Sequence, residues 1–357
     1  MNNNIDKNHK NHETSYKDIK ETSYNDIPWI EKYRPRKLND IISQEESINI
    51  LNNTLLTGEL PHLLLYGGPG TGKTSSILAL CNQLYGPDRV NERVIELNAS
   101  DERGINVVRH KIINFAKIAI GTTDPKYLCP PYKIIILDEA DAMTKEAQAA
   151  LRKVMEETSN ITRFCFICNY INQIIEPINS RCVKIRFKPI TKNNVIDKLA
   201  YISIKENILI NKDGISSLAE IANGDLRKSI LILQNVKYLK INQNKTSNIV
   251  INNNDIYDMC KYITDEQLLA YVTSINNDKS INNVINITND IINNGYIFNS
   301  IIIKIINYLI NNDKIADNVK AIILFEMSSI EKNINDGADE YIQLLKILNF
   351  LSTIFYL

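Results

Sequence analysis

The sequence predicts an α/β fold in which a five-stranded parallel sheet is followed by two helical regions. Between residues 61 and 187, short apolar segments of the kind buried on both faces of a sheet alternate with helical patterns. Beyond residue 190 the apolar residues recur at helical spacing, as at Leu226, Ile230 and Leu233, with no second sheet evident. This order is typical of an α/β core with helical additions.

Composition narrows the function only slightly. The chain has 357 residues, 44% of them hydrophobic and 23% charged, and its 41 basic residues balance its 41 acidic ones. A net charge of zero gives no global argument for nucleic acid, so such a contact requires a local basic surface. The six cysteines are scattered, and we recognise no secretory segment or transmembrane run. We therefore expect reduced thiols in the cytosol or nucleus and no association with a membrane.

A glycine-rich loop after the first strand-like segment indicates a phosphate site. The segment "LLLY" leads into "GGPGTGKT" and then into a helical pattern, which is the order of strand, loop and helix in a P-loop. Backbone N–H groups of such a loop wrap phosphates, its lysine reaches the β- and γ-phosphates, and its last hydroxyl ligates Mg²⁺. We therefore predict an ATP site, with Mg²⁺ on Thr74, built by Gly67, Gly68, Pro69, Gly70, Thr71, Gly72, Lys73, Thr74 and Ser75.

Two carboxylates emerge at the end of the next buried strand, "KIIILDEAD" (133–141). Ligands of open α/β sheets bind at the carboxyl ends of strands, so Asp138 is predicted to hold Mg²⁺ through water and Glu139 to polarise the attacking water. Alternatively, the carboxylates cap the following helix. The letters DEAD also suggest an RNA helicase. Such an enzyme needs a second α/β domain, which the helical pattern after residue 190 does not offer.

Two polar residues lie beside the remaining strands. "RFCFICNY" (163–170) contains Asn169 near its end, where it can orient water or sense the γ-phosphate, unless it is a plain turn residue. "VKIRF" (183–187) follows Arg181, which forms either an ordinary surface ion pair or a contact with a group outside this chain. With "RVIEL" (93–97), the strands number five.

Together these motifs resemble a small subunit of replication factor C, the eukaryotic AAA+ clamp loader. "DERG", "ICNY" and "NDGADEYIQLL" look most like the subunit numbered four in animals and two in yeast. The resemblance is dense from Pro28 to residue 235, and Gly68 stands where the family often has proline, which we expect to loosen the loop slightly. The matching segments are "PWIEKYRPRKLNDII", "GPGTGKT", "ELNASDERGINVVR", "LDEADAMTKEAQAALRKVME", "FICNY", "IIEPINSRCVKIRFKP" and "GDLRK".

The resemblance implies a role for each matching residue. Asn169 matches sensor 1, and Arg227 matches sensor 2, a lid arginine that reaches the phosphates of ATP. Arg181, in "SRC", matches an arginine finger that acts in trans on the ATP site of the neighbouring subunit. Trp29 to Pro35 matches the segment that folds over the adenine, with Tyr33, Arg34 and Pro35 as its expected contacts.

The resemblance also implies contact with DNA through the helix after "NASDERG". Arg103 and Arg109 are the expected phosphate contacts, with simple solvation as the alternative. Further along that helix, Ile112, Phe115 and Ala116 face either the sliding clamp or the core of this chain.

The implied organisation is a disordered polar tail (1–27), an AAA+ core (28–190), a helical lid (191–245), an Asn-rich linker (246–254) and a helical collar that joins subunits (255–357). The implied function is that of a nuclear ATPase, dependent on ATP and Mg²⁺. It would assemble with other replication factor C subunits into a heteropentamer that loads the sliding clamp onto primer-template DNA. The alternatives are another AAA+ ATPase of DNA metabolism and an ATP-binding scaffold without turnover.

Overall fold

A parallel five-stranded sheet lies at the centre of the first half of the chain. The computed structural model describes residues 27–99, 111–116, 118, 125–243, 249–313 and 315–354. Across the sheet lie, in order, the second, third, fourth, first and fifth strands of the chain, and every neighbouring pair is parallel. The predicted α/β core is therefore confirmed. Its strands are β1 (Leu63–Gly67), β2 (Val94–Asn98), β3 (Lys133–Asp138), β4 (Thr162–Cys168) and β5 (Val183–Phe187).

Both faces of the sheet are covered by helices. Alternate residues of β1 enter two hydrophobic clusters, Leu63 and Leu65 in one and Leu64 in the other, because successive side chains of a strand point to opposite faces. Residues 111–116 are also helical. The labelled helices are α1 (Trp29–Lys32), α2 (Glu45–Thr57), α3 (Lys73–Tyr85), α4 (Val90–Arg93), α5 (Lys145–Thr158) and α6 (Glu176–Asn179).

A group of helices follows the sheet in the same compact unit, which ends at Val250. It consists of α7 (Lys192–Lys205), α8 (Lys212–Ala222) and α9 (Leu226–Gln243). The expectation of no second sheet was wrong in one detail, because β6 (Ile208–Ile210) and β7 (Ile249–Ile251) form a small two-stranded sheet. Three-residue strands are too short to show the alternation on which a sequence-based prediction depends.

The second compact unit, Ile251–Leu357, is helical and has its own hydrophobic cluster. The Asn- and Ile-rich segment "INNVINITNDIINN" forms one of its helices, in which Val284, Ile287 and Ile291 are buried. No helix in the described ranges is long and apolar enough to cross a membrane. The helices are α10 (Asn253–Cys260), α11 (Asp265–Asn277), α12 (Ile281–Asn294), α13 (Phe298–Asn311), α14 (Asp317–Asn335) and α15 (Glu340–Ile354).

A histidine joins three strands at the amino-terminal edge of the sheet. The Nδ1 atom of His62 accepts a hydrogen bond from the backbone N–H of Phe164 at 3.0 Å. The backbone carbonyl of His62 accepts one from the N–H of Val183 at 2.8 Å. Burial, followed by the charge of Arg163, lowers the pKa of His62. A proton on Nδ1 would remove the acceptor for Phe164, so the fold requires the neutral imidazole.

We therefore expect the free energy of unfolding to fall as the pH drops below the unfolded histidine value of about 6.5. Because the folded pKa is lower, the unfolded chain binds more protons in this window. One proton limits the slope to about 1.4 kcal/mol per pH unit. Urea unfolding between pH 5.5 and 7.5 measures this, and His62→Asn, which offers a non-titrating acceptor, should show a flatter profile. An equal slope in both proteins would contradict the assignment.

Candidate nucleotide-binding site

A cleft of about 510 Å³ opens at the carboxyl ends of the sheet strands. It is lined by α1 and the segment after it, by the glycine-rich loop with the ends of the strands, and by residues of α7 and of the start of α9. This is the position at which open α/β sheets bind ligands. The sequence-predicted residues in its wall are Tyr33, Arg34, Pro35, Pro69, Gly70, Thr71, Gly72, Lys73, Thr74, Ser75, Asp138, Glu139, Asn169 and Arg227.

Lys73 lies at the centre of the cleft with its amine held by three oxygen atoms. Its Nζ donates to the carbonyls of Gly67 and Gly68, each at 2.8 Å, and to Oδ1 of Asn169 at 2.9 Å. Only 7% of the residue is exposed. Burial lowers the pKa of Lys73, against the opposing effect of Asp138. The amine is thus positioned before any anion arrives, which suits a group that binds phosphate.

The predicted Mg²⁺ ligands are neighbours in the structure. Thr74 Oγ1 donates to Oδ2 of Asp138 at 2.8 Å. A hydroxyl and a carboxylate are hard oxygen donors of the kind that bind Mg²⁺ together with water and phosphate. The donor set therefore fits the predicted ion.

Glu139 follows Asp138 in a left-handed backbone conformation, with φ +53° and ψ +39°. Its N–H donates to Oδ1 of Asp138 at 2.8 Å. The glutamate begins a short 3₁₀ turn over Ala140–Ala142 rather than helix α5, which is capped instead by Thr144. Glu139 therefore does not cap helix α5.

Asn169 is held in place by Asp141, a residue that the sequence analysis did not select. The backbone N–H groups of Asn169 and Tyr170 both donate to Oδ2 of Asp141 at 3.0 Å. This carboxylate fixes the chain where β4 ends, while the side chain of Asn169 accepts from Lys73. Asp141, the last residue of "DEAD", thus positions Asn169. The sequence could not show this, because the two residues are 28 positions apart.

The glycine loop is shaped by its neighbours. Gly70 has φ +64°, and a Cβ atom built there would lie 1.7 Å from Oδ1 of Asp225 and 3.1 Å from its Cα. Asp225 precedes α9 and accepts the N–H of Lys228 at 3.1 Å. A Cβ on Gly67 would lie 2.2 Å from the carbonyl oxygen of Phe187, whereas one on Gly68 would meet no atom within 4 Å. The loop therefore admits only glycine at the points where it touches β5 and the approach to α9.

The lid contributes Arg227 from the first turn of α9. Its charge is close enough to lower the pKa of Lys73, although burial and Asp138 have larger effects. The segment after α1 contributes Arg34, which is close to Glu96. Burial raises the pKa of Glu96, and the charge of Arg34 partly opposes this rise. Cationic groups from two separate segments thus face the same cleft.

A buried glutamine, Gln44, ties the loop to the sheet and was also missed by the sequence analysis. Its Nε2 donates to the carbonyl of Lys188 at 2.7 Å and to that of Thr71 at 3.4 Å, and its Oε1 accepts the N–H of Lys188 at 3.2 Å. No pattern marks an isolated glutamine before a helix as a site residue.

Arg181 is not part of this cleft. It lies on the surface, where Nη2 contacts Oε1 of Glu156 at 2.7 Å and Nη1 donates to the carbonyl of Pro177 at 2.8 Å. Its side chain is 36% exposed. Within one chain the ion-pair alternative describes the geometry, and the role in trans stays a prediction.

The predicted DNA contacts, Arg103 and Arg109, lie outside the described residues. Of the residues that follow them, Ile112 is buried and Phe115 is partly buried against the same hydrophobic cluster as β3 and β4. These two side chains face the core of this chain.

Gly70→Ala should weaken ATP binding by tenfold or more, roughly 1.4 kcal/mol, because alanine is strained at φ +64° and its methyl group would displace Asp225 at the start of α9. Gly68→Ala is the matched control, since it adds the same methyl group without a steric contact, and should cost much less. Calorimetric titration with MgATP measures both. Equal losses in the two variants would show that contact with Asp225 is irrelevant.

Comparison with known proteins agrees with this geometry. Residues 63–190 match the family model of the ATPases associated with various cellular activities, and residues 263–349 match that of the replication factor C C-terminal domain. Among solved structures, the branch migration motor RuvB of Thermotoga maritima superposes with a TM-score of 0.50 at 17% identity, covering 68% of this chain and 79% of that one. At this identity the likeness concerns the fold alone.

Sequence relatives are closer. Replication factor C subunit 2 of Schizosaccharomyces pombe is 42% identical over 92% of this chain and 94% of its own length. Subunit 2 of Oryza sativa is 45% identical, over 90% and 92%. Human replication factor C subunit 4 is 41% identical, over 90% of this chain and 86% of its own length. The predicted likeness to the subunit numbered two or four is thus confirmed, and the chain belongs to the replication factor C family of AAA+ clamp-loader subunits.

Proposed function

We propose that this chain is an ATP-hydrolysing subunit of the nuclear clamp loader. It would join other replication factor C subunits in a heteropentamer that opens the sliding clamp and loads it at primer-template junctions. The observation that carries the proposal is the division of the site: Lys73, Asp138 and Arg227 converge on one cleft, while Arg181 lies outside it on the surface. An arginine placed in this way is available to an adjoining subunit. The helices of residues 255–357 would form the collar that joins neighbours.

In this proposal, Lys73 and the N–H groups of the glycine loop bind the β- and γ-phosphates of ATP. Thr74 and Asp138 hold Mg²⁺, directly and through water. The ion, when bound, neutralises charge on the phosphate oxygens. Tyr33, Arg34 and Pro35 form the wall for the adenine. The glycine positions that exclude any side chain support close approach of the backbone to phosphate.

Glu139 is proposed to polarise the attacking water, and Asn169 to orient it. The carboxylate of Glu139 follows the Mg²⁺ ligand directly, and Asp141 fixes the backbone of Asn169 through two hydrogen bonds. A general base must lie within hydrogen-bond reach of the water that it activates. Glu139 and Asn169 each directly follow a strand of the sheet, which gives both side chains a defined position.

Hydrolysis would be completed by an arginine in trans. The ion pair of Arg181 with Glu156 is exposed, and pairs of this kind contribute only about 0–1 kcal/mol. Release of the guanidinium toward the phosphate of a neighbour therefore costs little. An arginine finger typically raises the hydrolysis rate by ~10³ to 10⁵. Arg103 and Arg109 remain the proposed phosphate contacts to DNA.

The family and the intact Glu139 favour this proposal over its two alternatives. A branch-migration or origin-loading ATPase has in its favour only a fold likeness at 17% identity. A scaffold without turnover would not require a carboxylate at position 139.

Glu139→Gln should retain binding of MgATP but lower its hydrolysis by ~10²-fold or more, because the amide cannot accept the proton of the attacking water. In a reconstituted complex, single-turnover hydrolysis at this subunit's site measures the effect, with nucleotide retention as the binding control. Turnover at the wild-type rate would assign the base to another residue.

Arg181→Ala should leave ATP binding to this chain nearly unchanged, yet suppress hydrolysis at the adjacent subunit's site by ~10³-fold or more. To isolate that site, the residue equivalent to Glu139 is inactivated in every subunit except the adjacent one, and clamp-stimulated turnover is recorded. Arg152→Ala is a matched control, since Arg152 pairs with the same Glu156 at 3.1 Å.

If Arg181 only supports the fold, both variants should lower the melting temperature slightly and leave turnover per assembled complex unchanged. That result would overturn the role in trans while leaving this chain's own ATP site intact.

A further inference from the structure

The carboxylate of Glu206 accepts three hydrogen bonds from side chains. Lys32 Nζ and Tyr33 Oη donate to its Oε1 at 2.6 and 2.5 Å, and Lys237 Nζ donates to its Oε2 at 3.1 Å. The carboxylate side chain is only 9% exposed. An acid buried to this degree needs such partners to remain charged.

The local backbone explains why the carboxylate lies there. Glu206 is the C-cap residue directly after α7, and Asn207 after it turns the chain with φ +54°. Lys237 also donates to the backbone carbonyl of Glu206 at 3.2 Å. Burial tends to raise the pKa of Glu206, but the hydrogen bonds from Lys32, Tyr33 and Lys237 outweigh it and hold that pKa below its usual value. The carboxylate is therefore ionised at neutral pH.

Two parts of the cleft meet at this carboxylate. Lys32 and Tyr33 belong to the segment that continues into Arg34 and Pro35 on the cleft wall. Lys237 belongs to α9, the helix whose first turn carries Arg227.

The same two segments are joined again at Trp29, which is 3% exposed. The backbone N–H of Trp29 donates to Oε1 of Gln234 at 3.1 Å, and Lys237 Nζ lies 4.9 Å from the centre of the Trp29 ring. The contact between α1 and α9 thus consists of several mutually supporting interactions.

We propose that Glu206 is a positioning residue for the nucleotide, which fastens the Tyr33–Pro35 wall of the cleft to the lid helix α9. Glu206 is not among the residues that line the cleft. Its effect is exerted through Tyr33, which both lines the cleft and donates to the carboxylate. The inference rests on the proposed function, since it assigns that wall to the base of ATP.

The phosphate half of the cleft has separate anchors. Lys73 is held by Gly67, Gly68 and Asn169, and Thr74 by Asp138, all within the sheet and its loops. Loss of Glu206 should therefore weaken the contribution of the base more than that of the phosphates. This distinction separates a positioning role from a general effect on folding.

The test uses the full-length chain with two probes, MgATP and magnesium tripolyphosphate, which presents phosphates without a base. Glu206→Gln keeps the size of the side chain, removes its charge and leaves Lys32 and Lys237 without their acid. We expect the dissociation constant for MgATP to rise about tenfold, the effect of one charge-assisted hydrogen bond. Tripolyphosphate binding should change less than about threefold. Calorimetry measures both constants.

Lys237→Met, which keeps an apolar stem beside Trp29, is a second variant that should show the same difference between the probes. Glu220→Gln is the control, because it removes an exposed lid carboxylate that contacts Lys192 at 3.7 Å and should leave both constants unchanged. Equal weakening of both probes, or no weakening in either variant, would overturn the positioning role. Failure of the wild-type chain to bind MgATP would instead overturn the proposed function, and the inference with it.

Discussion

Burial of a parallel sheet on both faces is the constraint on which the rest of the structure depends. Parallel strands place all their carboxyl ends at one edge, so residues far apart in the chain become neighbours there. Lys73 reaches Asn169, 96 positions away, and Thr74 reaches Asp138, 64 positions away. The register that pairs Asn98 with Asp138 continues the same edge. The cleft is thus a product of the sheet's apolar core, although none of its polar residues belongs to that core.

The sequence predicted those parts of the site whose chemistry is local. The five strands and the glycine loop depend on short patterns, and all appear where the patterns indicated. Residues such as Asp141, Gln44 and Glu206 were missed because each acts through a partner that only the folded chain brings close. In the sequence they are ordinary polar residues near helix ends. Pairing across long separations leaves no periodic signal, and no motif marks a residue whose role is to hold another.

Several positive charges in and beside the cleft are held by fixed partners. Lys73 is held by carbonyl and amide oxygens, and the amines of Lys32 and Lys237 share the carboxylate of Glu206. Because these partners are fixed by the fold, the geometry for a polyanion exists without rearrangement of the sheet. Preformed sites of this kind lose less conformational entropy on binding.

If Glu139 has the role proposed above, its backbone is a place where stability and activity compete. A left-handed conformation such as its φ of +53° costs a residue with a side chain roughly 1 kcal/mol more than glycine. Glycine would therefore make the fold more stable at this turn but would leave no carboxylate beside Asp138. Selection for heat resistance alone would favour the loss of this glutamate. A thermostabilised descendant of this chain, chosen without regard to turnover, would then be at risk of becoming a binding protein that no longer cycles.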